Sequence, residues 1–84
     1  METFTQPKIT GYRQLSETEV ALMNEGKALA EQCGQYIEKL RRAGSEHGIQ
    51  VPQPLDQRWI SIGATQLQQG FMAVIRGIAQ PSTF

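Results

Sequence analysis

A helical stripe of apolar residues between positions 56 and 80 is the feature that most restricts the fold of this chain. Its six members follow one another at intervals of four, three, four, three and four: Ile60, Ala64, Leu67, Phe71, Val74 and Ile78. This spacing is typical of an amphipathic helix that packs against another helix. A second stripe contains Gly63, Gly70 and Gly77 at intervals of seven. Each glycine costs a helix about 1 kcal/mol relative to alanine, so the stripe indicates close approach of another backbone.

Capping signals predict an all-α chain with two helices. Ser16 followed by Glu19 is the pattern of a capping box, and Gly44 is the expected C-cap of the helix that starts there. Two prolines, with glycine, then interrupt the chain, and Asp56 is the expected N-cap of the second helix, which Pro81 ends. The predicted arm, helix, linker, helix and tail span residues 1–15, 16–43, 44–55, 56–80 and 81–84. The two helices should form an antiparallel hairpin.

The second helix has more apolar surface than one partner helix can cover. Trp59, Ile62, Met72 and Ile75 all lie off the main stripe. With 84 residues, of which 39% are hydrophobic, the chain is one small domain whose own core would be marginal. We therefore expect a homo-oligomer in which hairpins bury these faces against one another.

Charge and cysteine content restrict the classes of function that the chain is expected to have. Eight acidic and eight basic residues give a formal net charge of zero, which disfavours a DNA-binding or other nucleic-acid-binding face. A single cysteine, Cys33, excludes an internal disulfide and favours a cytosolic setting. No stretch has the pattern of a signal peptide or a membrane span, so we expect no membrane partner.

The residues contain no evident catalytic set. His47, the one histidine, lies in the linker and is expected to be a solvated loop residue. Cys33 falls on the first helix's apolar face, where free cysteine usually packs as a small hydrophobe. No group of residues has the spacing of metal ligands, and no nucleophile has an evident base partner. We expect neither an enzyme nor a bound cofactor or metal.

The remaining candidate residues are of the types that bind a small anionic ligand. Tyr12 and Arg13 precede the first helix, and Lys27 lies about 16 Å along it from its start. Tyr12 and Lys27 can meet if the arm folds back, or across two chains. An aromatic face stacks on a purine and a lysine neutralises a phosphate. The simpler alternative is that Tyr12 packs the arm onto the hairpin and Lys27 is a solvated charge.

A polar face of the second helix is the other candidate surface. Arg58, Ser61, Thr65 and Gln68 share it by spacings of three, four and three, and Arg58 is its one cation. The simpler alternative is that Arg58 is an exposed arginine of the first turn.

Two long segments of the chain resemble a known family. They are GYRQLSETEVALMNEGK, at 11–27, and RWISIGATQLQQGFMAVIRGIAQP, at 58–81. Both look like the small phage proteins that defeat CBASS immunity by sequestering its cyclic oligonucleotide signals. These proteins share a helical-hairpin domain with the phage sponges that counter Thoeris immunity. The most specific part of the resemblance is a pattern of seven residues: Arg58, Trp59, Thr65, Gly70, Phe71, Met72 and Arg76.

The resemblance implies a compact hexamer in the cytoplasm of an infected bacterium that binds messengers without cleaving them. It implies cyclic dinucleotide pockets between paired protomers, in which Tyr12 stacks on a base and Lys27 binds phosphate, with Arg13 beside them. It also implies separate cyclic trinucleotide sites on three-fold axes, built from Arg58 and the polar face that continues through Ser61, Thr65 and Gln68. Gly26 stands beside Lys27, where the family leads us to expect a bulkier apolar residue.

A different class of function also fits the composition. An all-helical oligomer with faces rich in small residues could be an interaction protein that binds a host protein. A response of its melting temperature to cyclic nucleotides would separate the two classes, because only the first binds such ligands in the folded state.

Overall fold

The computed structural model describes residues 13–82, which form two α-helices and no strand. Helix α1 spans Glu17–Arg42 and helix α2 spans Gln57–Ala79. Each helix lies one residue inside its predicted limits at both ends, because the predicted ranges included the capping residues. The all-α expectation is confirmed for this part of the chain. Tyr12 and the rest of the N-terminal segment lie outside the described residues.

Helix α1 begins at the predicted capping box. The Ser16 hydroxyl accepts a hydrogen bond from the Glu19 backbone N–H at 3.1 Å. In return, the Glu19 carboxylate accepts one from the Ser16 backbone N–H at 2.9 Å. Two backbone donors that a helix start leaves without partners are thereby satisfied.

The other end of α1 differs from the prediction by one residue. Ala43, not Gly44, is the C-cap, and its N–H donates to the Leu40 carbonyl at 3.3 Å. Gly44 follows with a φ of 84°, a left-handed conformation that glycine adopts without a steric penalty. Its N–H donates to the Ile49 carbonyl at 2.7 Å, which starts the linker. Glycine is thus needed one position beyond the cap, where the chain reverses.

Helix α2 has the predicted N-cap, and its C-cap residue adopts the left-handed backbone conformation. The Asp56 carboxylate accepts hydrogen bonds from the backbone N–H groups of Arg58 and Trp59, at 3.1 and 3.3 Å. At the other end Gln80 adopts a φ of 44°, and its N–H donates to the Arg76 carbonyl at 2.7 Å. Pro81 comes next and cannot continue a helix.

Two contacts establish that the helices run antiparallel. The Gln57 side chain, at the start of α2, donates to the Leu40 carbonyl near the end of α1, at 3.3 Å. Gly26, in the first half of α1, faces Ile75 near the end of α2: a Cβ at Gly26 would lie 2.9 Å from the Ile75 Cδ1. The two helices therefore form an antiparallel hairpin.

The hairpin does not enclose a core. Among residues 13–82 only Ala79 is buried, at 8% relative exposure. Met72 and Trp59 are 72% and 64% exposed, and Cys33, expected in the core, is only half-buried. Several other large apolar side chains are exposed as well: Val20, Leu22, Leu29, Tyr36, Ile49, Leu67 and Val74. One hairpin thus leaves these side chains in contact with solvent, whereas Ile62 and Ile75, also expected to need a further partner, are half-buried within it.

The glycine stripe of α2 takes no part in the contact between the two helices. A Cβ added at Gly63, Gly70 or Gly77 would meet nothing within 4 Å. Close approach of a backbone at these glycines stays a prediction, and it would have to come from outside the helix pair.

Candidate functional site

A groove between α1 and α2 is the main concave surface in the described part of the chain. Its volume is about 1040 Å³. Its walls are predominantly apolar and include Met23, Ala30, Ile37, Leu67, Phe71 and Ile75. Apolar walls of this kind can receive the faces of planar rings.

The groove has an excess of positive charge. Among residues 13–82, the charged residues along it are Lys27, Glu38, Arg41 and Arg76, that is, three cations and one carboxylate. The Arg41 Nη1 atom lies 3.8 Å from Oε1 of Glu38, which is one helical turn earlier on α1, and the two residues form an exposed ion pair. Lys27 is exposed and forms no ion pair with residues 13–82. The groove therefore combines apolar walls with cations that can neutralise an anionic ligand.

Gly26, directly before Lys27 on α1, faces the Ile75 side chain of α2. A side chain larger than hydrogen at position 26 would press against the end of Ile75, which lines the groove. The atom that it would meet is the movable end of a side chain and not backbone, so a larger residue at position 26 would require Ile75 to shift. Glycine leaves room for Ile75 beside the predicted phosphate-binding lysine.

The structure brings together two residues that the sequence assigned to different sites. Gln68, expected with Arg58, lines the same groove as Lys27. Arg58, Ser61 and Thr65 are exposed on α2 but do not line the groove. The predicted trinucleotide face is therefore continuous with the groove at one end and separate from it at the other.

Arg13 is engaged by the protein itself. Its guanidinium makes two hydrogen bonds to the Glu19 carboxylate, one of them at 3.2 Å from Nη1 to Oε1 and the other from Nη2 to Oε2. Nη2 also donates to the Ile78 carbonyl, in the last turn of α2, at 3.0 Å. This residue joins the chain before α1 to both helices.

The Arg13–Glu19 pair shifts the ionisation of both groups. The hydrogen bond from Arg13 is the largest cause that lowers the pKa of Glu19 to about 2, and hydrogen bonds from Ser16 add to it. The same bond raises the pKa of Arg13. Both groups are therefore charged across the physiological range, and the network is intact there.

We expect this network to make stability depend on acid pH. The folded-state pKa of Glu19 is depressed, so its contribution is fully present above the unfolded value of about 4.3 and is lost as the pH falls through about 2. The free energy of unfolding should decline over that window. Glu19→Gln should make the decline shallower in urea titrations, and Glu31→Gln, an exposed mid-helix control, should not. Equal slopes for Glu19→Gln and the parent would contradict the assignment.

Sequence reasoning missed two features of this site. The first is Arg41, which lines the groove. Lys27, Gly34 and Arg41 are spaced by seven residues and therefore share one face of α1, so a heptad pattern that starts at Lys27 could have identified it. The bridge from Arg13 to Ile78 spans 65 positions and has no local signal.

The described residues show no metal centre. No group of three or more histidine, cysteine, aspartate and glutamate residues within 13–82 is arranged to hold an ion. His47 is exposed in the linker, and Cys33 lies half-buried along the groove. Neither described helix is both long enough and apolar enough to cross a membrane.

Comparison with known proteins agrees with the geometry. Residues 7–79 match the family described as "Acb2/Tad1, hairpin domain". The chain is also 33% identical to "Anti-CBASS protein 2" of Pseudomonas phage JBD67, over 101 aligned positions that cover 88% of this chain and 92% of the relative. The alignment is longer than the chain, so the relative contains residues that have no counterpart here. Both helices of the hairpin lie inside the matched range, and the chain belongs to the Acb2/Tad1 hairpin-domain family.

Proposed function

We propose that this protein sequesters cyclic oligonucleotide messengers and so blocks CBASS antiphage signalling in the cytoplasm of an infected bacterium. The observation that carries the proposal is the match, along most of both chains, to a phage protein named for its anti-CBASS role. The apolar, cation-lined groove supports it, because purine rings and phosphates need surfaces of these two kinds.

Binding alone would suffice for this function. A messenger held between subunits is hidden from its effector, and its phosphates and bases need only be neutralised and stacked. The residues assigned to the ligand bind charge or rings, and none has to activate water or attack phosphorus. The proposal therefore includes release of the messenger intact.

The proposed binding unit is a homo-oligomer, a hexamer by the family resemblance. The exposed apolar side chains of the hairpin support assembly, since a single copy buries only Ala79 among the described residues. Within the assembly, Tyr12 and Lys27 would form the cyclic dinucleotide pocket, with Arg13 beside Tyr12. Arg58 and its polar face would form the cyclic trinucleotide site.

A thermal-shift panel tests the proposal directly. Cyclic di- and trinucleotides should raise the melting temperature, because a ligand at 100 times its Kd adds about 2.7 kcal/mol to the folded state. Matched linear dinucleotides, with the same bases and no ring, are the controls. After heating, chromatography of the supernatant should recover unmodified cyclic ligand. Linear products from a nuclease-free preparation would make the protein an enzyme, and no shift with any cyclic ligand would contradict sequestration.

A second candidate function rests on the same exposed surface. Trp59 and Met72 could bind a host protein instead of further copies of the chain. This alternative predicts no thermal response to cyclic nucleotides, so the same panel decides between them.

A further inference from the structure

Two cations on different helices lie in the same section of the groove. Lys27 follows Gly26 on α1, and Arg76 follows Ile75 on α2. A Cβ at Gly26 would lie 2.9 Å from the Ile75 Cδ1, so the two residues that precede these cations face each other across the helix pair. Lys27 and Arg76 both line the groove. Each helix therefore contributes one cation to the groove at the same level along the hairpin.

We propose that Arg76 is a phosphate-binding residue that acts together with Lys27, and that this pair neutralises the phosphates of a cyclic dinucleotide. The inference rests on the proposed function for the identity of the ligand. It goes beyond that function because the family resemblance includes Arg76 in its residue pattern without giving it a role in binding.

The distribution of charge along the groove favours an anion at this section. Within residues 13–82, the one carboxylate that lines the groove belongs to Glu38, eleven positions after Lys27 and therefore about 16 Å farther along α1. That carboxylate pairs with Arg41 at 3.8 Å. A phosphate between Lys27 and Arg76 would thus meet two cations and lie far from the carboxylate of the groove. Two neighbouring cations also repel each other, and an anion between them relieves that repulsion.

The chemistry of the two side chains suits a ligand with two phosphates. A cyclic dinucleotide carries two phosphodiester charges, and a single lysine matches one of them. A guanidinium has five N–H donors in a planar fork, so Arg76 can bind a phosphate in addition to an interaction within the protein. One turn beyond each cation the groove is lined by an alanine, Ala30 on α1 and Ala79 on α2, and these small side chains leave room beside the cations.

The substitution Arg76→Gln tests this role, because it removes the charge and keeps a long polar side chain. Affinity for the cyclic dinucleotide that gives the largest thermal shift should fall about 10- to 100-fold, the effect of losing hydrogen bonds to a charged group. Arg42→Gln is the matched control, since Arg42 is exposed at the end of α1 and does not line this groove. Calorimetry at a particle mass equal to that of the parent measures both variants.

Two outcomes of this calorimetry have different meanings. If the parent binds the dinucleotide and Arg76→Gln binds it equally well, the proposed function stands and the role of Arg76 is overturned. If the parent itself binds no cyclic dinucleotide, the proposed function is wrong and the role of Arg76 is overturned with it.

A change in the ligand separates a phosphate contact from a structural role. The probe is the same cyclic dinucleotide with one phosphodiester replaced by an uncharged methylphosphonate linkage. If Arg76 binds phosphate, the loss of affinity caused by Arg76→Gln should be smaller with this probe than with the natural ligand, by a factor of about three or more. A residue that only maintains the shape of the groove would cause equal losses with both ligands, and that result overturns the proposal.

Chemical modification of the parent keeps the proposal testable if Arg76→Gln fails to assemble. Phenylglyoxal reacts with accessible guanidinium groups, and Arg76 and Arg42 are both exposed in the hairpin. A saturating concentration of the cyclic dinucleotide should slow the modification of Arg76 and leave that of Arg42 unchanged, as measured by mass spectrometry of the digested protein. Equal rates at Arg76 with and without the ligand would overturn the proposal. An Arg76 that is unmodified in both states lies out of reach of a ligand and would overturn it as well.

Discussion

Replacing Met72 with glutamate should dissociate the expected oligomer into single chains and remove most of the cooperativity of its unfolding transition. Met72 is the most exposed of the large apolar side chains in the described region, at 72%. Full burial of such a side chain stabilises an assembly by about 1.5–3 kcal/mol per copy, and an unpaired carboxylate in its place adds a desolvation penalty. In the proposed hexamer, six copies of the substitution would multiply the effect.

The reason for so large an effect is that the single hairpin has almost no interior. With one buried residue in the described part of the chain, a monomer has little apolar burial to offset the entropy of ordering two helices. We therefore expect the folded state to depend on assembly. The melting temperature of the parent should rise with protein concentration, as it does for proteins whose folded monomer is unstable.

Light scattering and circular dichroism measure the outcome. Met72→Glu should shift the particle mass toward 9.4 kDa and lower the helical signal. Gln69→Glu is the matched control, because it adds the same charge to an exposed polar position one turn earlier on α2. A parent of 9.4 kDa that stays folded at micromolar concentration would refute the oligomer, and full assembly of Met72→Glu would place the interface on another face.

The helix limits could be predicted from the sequence because capping is local chemistry. The side chains of Ser16, Glu19 and Asp56 accept hydrogen bonds from backbone N–H groups two or three positions away. A short sequence pattern is therefore enough to predict these hydrogen bonds. The one-residue difference at Gly44 has a similar origin. The sequence marks a chain reversal, but it does not say whether the glycine is the cap or the residue after it.

The composition of the groove could not be predicted in the same way. Which residues line it depends on how far each helix is rotated about its axis, and that rotation follows from contacts between distant residues, such as Ile75 against Gly26. The stripe of three glycines on α2 was the stronger signal in the sequence, yet a single glycine on α1 makes the contact. Gln68 likewise lines the groove together with Lys27, which its spacing from Arg58 did not indicate.

The two cationic positions of the proposed function should respond to different ligands. Lys27 lies on the groove, whereas Arg58 is exposed at the start of α2 and outside it. Their separation supports two sites more directly than the spacing of the residues did. Lys27→Ala should weaken cyclic dinucleotide binding by about 10- to 100-fold, the effect of losing a hydrogen bond to a charged group, and leave trinucleotide binding nearly unchanged.

Arg58→Ala should do the reverse, and its effect should be larger. Around a three-fold axis, three copies of Arg58 would face the three phosphates of one cyclic trinucleotide, so one substitution removes three cations from a single site. In the absence of ligand these cations repel one another, so trinucleotide should stabilise the assembly of the parent and not that of the variant. Gln68 tests the boundary between the sites: because it lines the groove, Gln68→Ala should also weaken dinucleotide binding, whereas Ser61→Ala should not.

Calorimetry of each variant with both ligand classes, at a particle mass equal to that of the parent, decides between one site and two. Lys39→Ala is the control for loss of a cation from α1, since Lys39 is exposed and outside the main groove. If either Lys27→Ala or Arg58→Ala abolishes both kinds of binding while the assembly persists, the ligands share one site. The trinucleotide would then have to enter the groove from the Gln68 end, where the polar face of α2 meets it.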